Sequence, residues 1–223
     1  MINKVVFDIE TLGFPFDSFD NAQQEYLLKF ARTDEEREEA IAKLSLTPYT
    51  ARVLAIGMVN PDTRQGKVFF QGEGLAAEFV DDGLVQLIPC SEREILEHFW
   101  KSIIHYKQIV TFNGRGFDCP FVMARSALLS VKPSRNLMGN RYAVNDHCDL
   151  LDQLTFYGAT RKFNLDFYCR AFGIPSPKEG GITGQDMARL YGEKRYREIA
   201  EYCLGDVKAT AALYAQWAEY LNI

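Results

Sequence analysis

Near the start of the chain, two carboxylates one residue apart close an apolar run, Val5-Val6-Phe7-Asp8-Ile9-Glu10. If that run is a buried strand, the pleat aims Asp8 and Glu10 at the same face. Two anions on one buried face repel unless a cation lies between them, and an oxygen-only ligand set suits a hard divalent ion, Mg2+ or Mn2+, rather than zinc. The spacing alone decides nothing, because Asp34 and Glu36 repeat it inside a charged stretch. What separates the two is the apolar run before Asp8. Asp118 follows a tight Asn113-Gly114-Arg115-Gly116 turn, where an ordinary use would be a helix N-cap. Tyr202 and Asp206, at i and i+4, project together from one helix face. Tyr142 and Asp146 share that spacing in a segment without helical periodicity.

The elements that must position these groups follow from hydrophobic periodicity. Residues 2–8, 53–59 and 67–70 read as strands, with Asn60-Pro61-Asp62 turning the chain between the last two. Ser91 and Glu94 form a capping-box pair opening a helix to Tyr106 that carries Ile95, Leu96, Phe99 and Trp100. A buried strand is expected at 108–112, a helix from Asp118, a short strand near Ala143–Asp146, helices at 149–157 and 164–172, and a long terminal helix from about Lys194 to Tyr220. Between residues 13 and 50 the period changes from two to nearly four. Tyr26, Leu27, Phe30 and Ala31 fall on one helical face and Ala40, Ile41 and Leu44 on another, with Thr33 and Glu36 as a second capping box. The expected architecture is one α/β domain over residues 1–223, a mixed sheet flanked by helices, carrying a two-helix insertion at 13–50 between its first two strands.

Composition agrees with a folded enzyme-sized unit: 223 residues, 47% hydrophobic and 25% charged. No apolar run approaches a membrane span, and the first residues lack a signal peptide's pattern, so a cytoplasmic protein is expected. Five cysteines without Cys-x-x-Cys spacing point to buried free thiols. The net charge of −5 argues against a basic protein that coats nucleic acid, although discounting Asp8, Glu10, Asp118 and Asp206 leaves only −1.

Taken together, three segments resemble a known family. Phe7-Asp8-Ile9-Glu10-Thr11-Leu12, Phe112-Asn113-Gly114-Arg115-Gly116-Phe117-Asp118-Cys119-Pro120-Phe121 and Tyr202-Cys203-Leu204-Gly205-Asp206 are similar to the three motifs of DEDD-type 3′–5′ exonucleases. The likeness is strongest to the proofreading domains of B-family DNA polymerases and their stand-alone relatives. In the histidine branch of that family a His stands five residues before the last Asp; here that position is Glu201, and Tyr202 marks the tyrosine branch.

The resemblance implies a ribonuclease H-like fold with a central five-stranded mixed sheet, and two divalent cations, Mg2+ or Mn2+, held by Asp8, Glu10, Asp118 and Asp206. It places Tyr202 at the attacking water and Thr11, Leu12, Asn113 and Phe117 near the terminal nucleotides of a single-stranded 3′ end, DNA before RNA. Arg161-Lys162-Phe163-Asn164-Leu165 and the loop with Lys178 resemble family segments without an assigned role. RNA trimming, and a non-catalytic module binding nucleic acid or a partner, are the alternative readings. His147 and Asp149 read as a loop histidine and an acidic residue at a helix start, and Phe14, Phe16 and Phe19 as candidate stacking surfaces if the insertion is a lid.

Overall fold

Strand β1 (Lys4–Gly13) alternates between two cores: Val5, Phe7 and Ile9 enter one, Val6 enters the other, and Asp8 and Glu10 continue the row that Val6 begins. The computed structural model describes residues 3–176 and 181–222. The remaining strands are β2 (Ala51–Val59), β3 (Gly66–Gln71), β4 (Glu78–Val80), β5 (Val85–Cys90), β6 (Gln108–Thr111) and β7 (His147–Asp149). They form one sheet of order β4-β5-β3-β2-β1-β6-β7. β1, β2 and β3 make the expected antiparallel meander, while β6 runs parallel to β1 and β7 parallel to β6.

These five strands correspond to the expected mixed sheet, and β5 and β4 extend it to seven beyond β3. The two extra strands escape a periodicity reading because β4 has three residues and β5 ends in Pro89-Cys90. Their local signal is the turn between them, where Asp81, Asp82 and Gly83 all adopt positive φ. The short strand expected at Ala143–Asp146 lies instead at His147–Asp149, three fully buried residues whose polar side chains conceal it.

The helices are α1 (Asn21–Leu27), α2 (Asp34–Ala42), α3 (Glu92–Ile103), α4 (Asp118–Leu128), α5 (Leu150–Leu154), α6 (Leu165–Ala171), α7 (Met187–Gly192) and α8 (Tyr196–Tyr220). The expected helix at 149–157 stops early, as Phe156 and Tyr157 both turn to positive φ. α3 and α4 pack on the face that receives Phe7, and α8 covers the other with α5, α6 and α7 around it. Gly57 lies opposite Asp8 in the β1–β2 register. A Cβ there would stand 2.8 Å from Val207 Cγ2 and 3.1 Å from Cys203 Sγ, so glycine lets α8 settle directly on the sheet beside Asp8. All five cysteines are free thiols. Among the described residues no helix is long and apolar enough to cross a membrane.

The segment between β1 and β2 behaves differently from the rest. Both expected helices form, and Thr33 and Glu36 make their capping box, yet neither helix buries a residue. Tyr26 is 75% and Phe30 84% exposed, so of the two apolar faces legible in the sequence only Leu44, at the end of the second, reaches a core. The arm is fastened at its base. Leu44 is buried, the Ser45 carbonyl accepts a bond from the Thr11 hydroxyl at 2.8 Å, and the Phe14 ring lies 5.0 Å from the Arg52 guanidinium and 5.1 Å from that of Arg125. Arg125 is itself clamped by Glu92. Residues 13–50 hold eight acidic against four basic side chains, most of the net charge of the chain.

Replacing residues 18–41 by a short Gly/Ser linker should therefore leave the thermal midpoint within about 3 °C, since no core contact is lost and loop closure changes little. Leu44→Ala should cost about 2–4 kcal/mol by opening a cavity against β1. Circular-dichroism melts check both, and a linker variant that unfolds well below the parent would show that α1 and α2 stabilise the sheet.

Candidate active site

Pairing between β1 and β6 ends at Val6 and Val110, so the far end of β1 outruns its parallel neighbour. The amide of Ile9, left without a strand partner on that side, donates to Asp118 Oδ1 at 3.1 Å. Asp118 is thus not the N-cap of α4. Phe117 occupies that position without a side-chain cap, and the Asp118 carboxylate turns back onto β1 beside Asp8 and Glu10.

The turn that delivers Asp118 is held from below. Asn113 sits at φ 61°, a strained left-handed conformation, and a Cβ on Gly114 would fall 2.4 Å from Thr111 Oγ1. Asp149, buried at the end of β7, accepts the amides of Asn113 and Arg115 at 2.9 Å each and caps α5 through Leu151 N at 3.0 Å. It stands at a helix start as its sequence position suggested, and it also anchors the turn, a use that only the fold reveals. His147 meets Thr111 Oγ1 at 2.8 Å through Nε2, and burial holds its imidazole down to about 3, neutral at any working pH.

α8 supplies the remaining groups. Tyr202 and Asp206 project from its sheet-facing side, with the Tyr202 hydroxyl hydrogen-bonded to the Asp206 carboxylate. Asp8, Glu10, Asp118, Tyr202 and Asp206 line one cleft of about 450 Å3 at the end of β1. Asn113 and Phe117 border it as well. Thr11 and Leu12 do not. A bulge between Glu10 and Thr11 shifts the register, after which Thr11 is buried against Ser45 and Leu12 packs into the core under α8. No described residue of the 13–50 arm, Phe14, Phe16 and Phe19 included, lines the cleft. Lys162, Phe163 and Asn164, residues without an expected role, form a wall, and Lys162 is the one cationic side chain among the described residues lining it. Lys178 lies outside the described residues.

The cleft is electrostatically costly as it stands. Burial first, then Asp118, Asp206 and Glu10, raises the Asp8 carboxyl well above its usual range, and burial with Asp206 and Asp118 does the same to Glu10. Burial carries Asp118 to about 7, with Asp149 and Asp206 adding to the rise and its own and Ile9's amides opposing it. Tyr202 is pushed far upward by burial and by Asp206, Glu10 and Asp8, so its hydroxyl keeps its proton. Ligand atoms of Asp8, Glu10 and Cys203 lie within 4.8 Å of one another, but burial first and then the three neighbouring acids keep the Cys203 thiol protonated. What remains is a set of carboxylate oxygens, suited to hard divalent ions that would relieve their repulsion.

Residues 49–221 match the family described as predicted 3′–5′ exonucleases related to the exonuclease domain of PolB. The chain belongs to this family. The match takes in Asp118, Tyr202 and Asp206 and begins beyond Asp8 and Glu10. Among curated relatives, a DNA polymerase of Desulfurococcus sp. strain Tok is 28% identical over 185 residues, 67% of this chain and 23% of the relative. The catalytic polypeptide of DNA polymerase epsilon from Emericella nidulans is 28% identical over 146 residues, 57% of this chain and 6% of that protein. The chain thus spans less than a quarter of the length of these relatives. The family B DNA polymerase of the hyperthermophilic archaeon Pyrobaculum calidifontis shares the fold, with a TM-score of 0.60 at 19% identity, over 98% of this chain and 25% of its own. This is a PolB-like 3′–5′ exonuclease domain of ribonuclease H-like fold, and exonuclease domains of this type use divalent metals.

The titration of the cleft has a measurable sign. Asp118 moves from the ordinary 3.8 to about 7, so the folded metal-free form holds this proton more tightly than the unfolded chain. The stability it contributes is present below about pH 4 and lost as the pH rises to about 7, on the order of 4 kcal/mol, and Asp8 and Glu10 act in the same direction. In EDTA the thermal midpoint of the wild type should fall between about pH 4 and pH 7 relative to Asp118→Asn, and saturating Mn2+ should recover most of the fall. Parallel curves for the two proteins would contradict this account.

Proposed function

We propose that this domain degrades single-stranded DNA from its 3′ end, hydrolysing one phosphodiester bond at a time to release nucleoside monophosphates with two divalent ions, Mg2+ or Mn2+. The chain is read as one exonuclease unit over residues 1–223, with 13–50 as an insertion within it. The observation that carries the reading is the convergence of Asp8, Glu10, Asp118, Tyr202 and Asp206 on a single cleft. The DNA polymerases among its relatives favour DNA over RNA.

In this reading Asp8, Glu10 and Asp206 hold one ion, and Asp8 with Asp118 the second. Such ions, when bound, activate a water molecule and stabilise the leaving 3′-oxygen. The chain supplies the alignment. Tyr202, protonated and bonded to Asp206, acts as a positioned donor that orients the attacking water, not as a free base. The Ile9 amide holds one oxygen of Asp118 and so aims the carboxylate at Asp8 and Glu10. Asn113 and Phe117, which border the cleft together with Lys162 and Phe163, are assigned in this reading to the terminal nucleotide.

End-labelled single-stranded DNA, duplex DNA and RNA, each incubated with Mg2+, Mn2+ or EDTA, test the proposal. Single-stranded DNA should shorten from the 3′ end only with metal, and Asp8→Asn should abolish cleavage while remaining folded. Tyr202→Phe keeps the ring and the carboxylates, so kcat should fall by roughly 10²–10³-fold with KM little changed. Cleavage in EDTA, or full activity of Asp8→Asn, would refute the two-ion site, and preferential loss of RNA would shift the substrate to the alternative class.

A further inference from the structure

Next to the cleft, the start of α6 carries a column of flat faces. Phe163, part of the cleft wall, stacks on Phe167 one helical turn later, with ring centroids 4.1 Å apart and planes within 8°. The Arg161 guanidinium lies 5.0 Å from the Phe163 ring, and Tyr168 meets that ring edge-on at 5.9 Å. Aromatic clusters of this kind normally sit inside a core, where burial rewards them. This one is at the surface: Phe167 is 51% exposed, and Arg161 and Lys162 are exposed. Neither cation forms an ion pair among the described residues, although most arginines on this surface do. Its foundation is rigid, since Asn164 caps α6 through the Phe167 amide at 2.9 Å and α6 packs against α8.

We propose that this ledge binds the part of a single nucleic-acid strand lying 5′ of the bond that is cut. The inference rests on the exonuclease reading of the cleft and adds to it a second contact region. Lys162, at the rim, takes the phosphate next to the cleft, and the following unpaired base stacks on the open face of Phe167, lengthening the Arg161–Phe163–Phe167 column by one member. That face lies one ring spacing beyond the cleft wall, so it receives a neighbouring nucleotide and not the terminal one. Charge supports the same occupant. Away from the 13–50 arm and the four cleft carboxylates, the chain carries three more cationic than anionic side chains, and Arg161 and Lys162 are two of the cations. Every base has a stacking face, so the ledge is indifferent to sequence, and a base paired in a duplex cannot offer its face there without unstacking.

Binding measured without turnover tests the ledge separately from the chemistry. Fluorescence anisotropy of a labelled thymidine octamer in EDTA should show Phe167→Ala weakening affinity by about 5- to 30-fold, with Phe167→Trp restoring it. Lys162→Glu, at an exposed side chain, should weaken affinity and lower the slope of log K against log salt by about 0.7 or more. The wild type should bind the octamer at least tenfold more tightly than the same octamer annealed to its complement. Unchanged octamer affinity in both variants would overturn the ledge, as would a loss in Phe167→Ala that Phe167→Trp does not restore. The p-nitrophenyl ester of thymidine 5′-phosphate, which has the scissile bond and nothing 5′ of it, reads the cleft alone in the wild type. Failure to hydrolyse it with Mn2+ would count against the exonuclease reading, while the binding result would still decide the ledge.

Discussion

Mutual repulsion among buried carboxylates is the constraint around which this structure is arranged. Glu10 and Asp118 are less than 10% exposed, and beside Asp206 they share with Asp8 a space in which burial and one another's charge keep these three carboxyls from ionising easily without a counter-charge. Left to relax, such groups would move apart or reach for water. Each is prevented by something specific. β1 fixes Asp8 and Glu10 by its pleat, and the Ile9 amide, free because β6 stops short, holds Asp118. Gly57 lets α8 approach closely enough to bring Asp206 in, and Tyr202 bonds to it from the preceding turn. The energy that keeps these elements in place comes from the two cores on either side, Phe7 against Phe99 on one and Val207, Leu213 and Trp217 on the other. Stabilisation and function therefore occupy different parts of the same strands.

Which features were legible in the sequence follows from the range over which each is determined. Asp8 with Glu10 and Tyr202 with Asp206 depend on a period of two and a spacing of four, and both are local properties that survive without knowledge of the fold. Asp118 was ambiguous because an N-cap and a residue turned back onto β1 occupy the same sequence position, and only its distant partner, Ile9, separates them. Asp149 shows the reverse: its place at a helix start was clear, but its hold on the Asn113 and Arg115 amides spans more than thirty residues. Thr11 and Leu12 directly follow Asp8 and Glu10 in sequence, yet Thr11 bonds to Ser45 and Leu12 packs into the core, so neither lines the cleft. The wall of Lys162 and Phe163 came from a segment with no periodicity that pointed anywhere.

The arm raises the opposite difficulty, because its periodicity is clear and its faces are not buried. Amphipathic spacing reports that a helix could pack, not that it does. Net charge misleads in a similar way. An overall value of −5 describes neither the acidic arm nor the remainder, which is cation-rich once the four cleft carboxylates are set aside, and the averaging conceals a division that matters for any polyanionic substrate.

The arm's mode of attachment also bears on how such a chain can change over generations. It departs from the sheet three residues after Glu10, yet it is secured by Leu44, Ser45 and Phe14 at its base, while neither α1 nor α2 buries a residue along its length. Mutation and length variation beyond that base are shielded from the cores and from the carboxylates alike. Strand β1 thus ends in a region where sequence can drift at little cost to folding, and new surfaces can be tried there while the cleft next to it stays fixed.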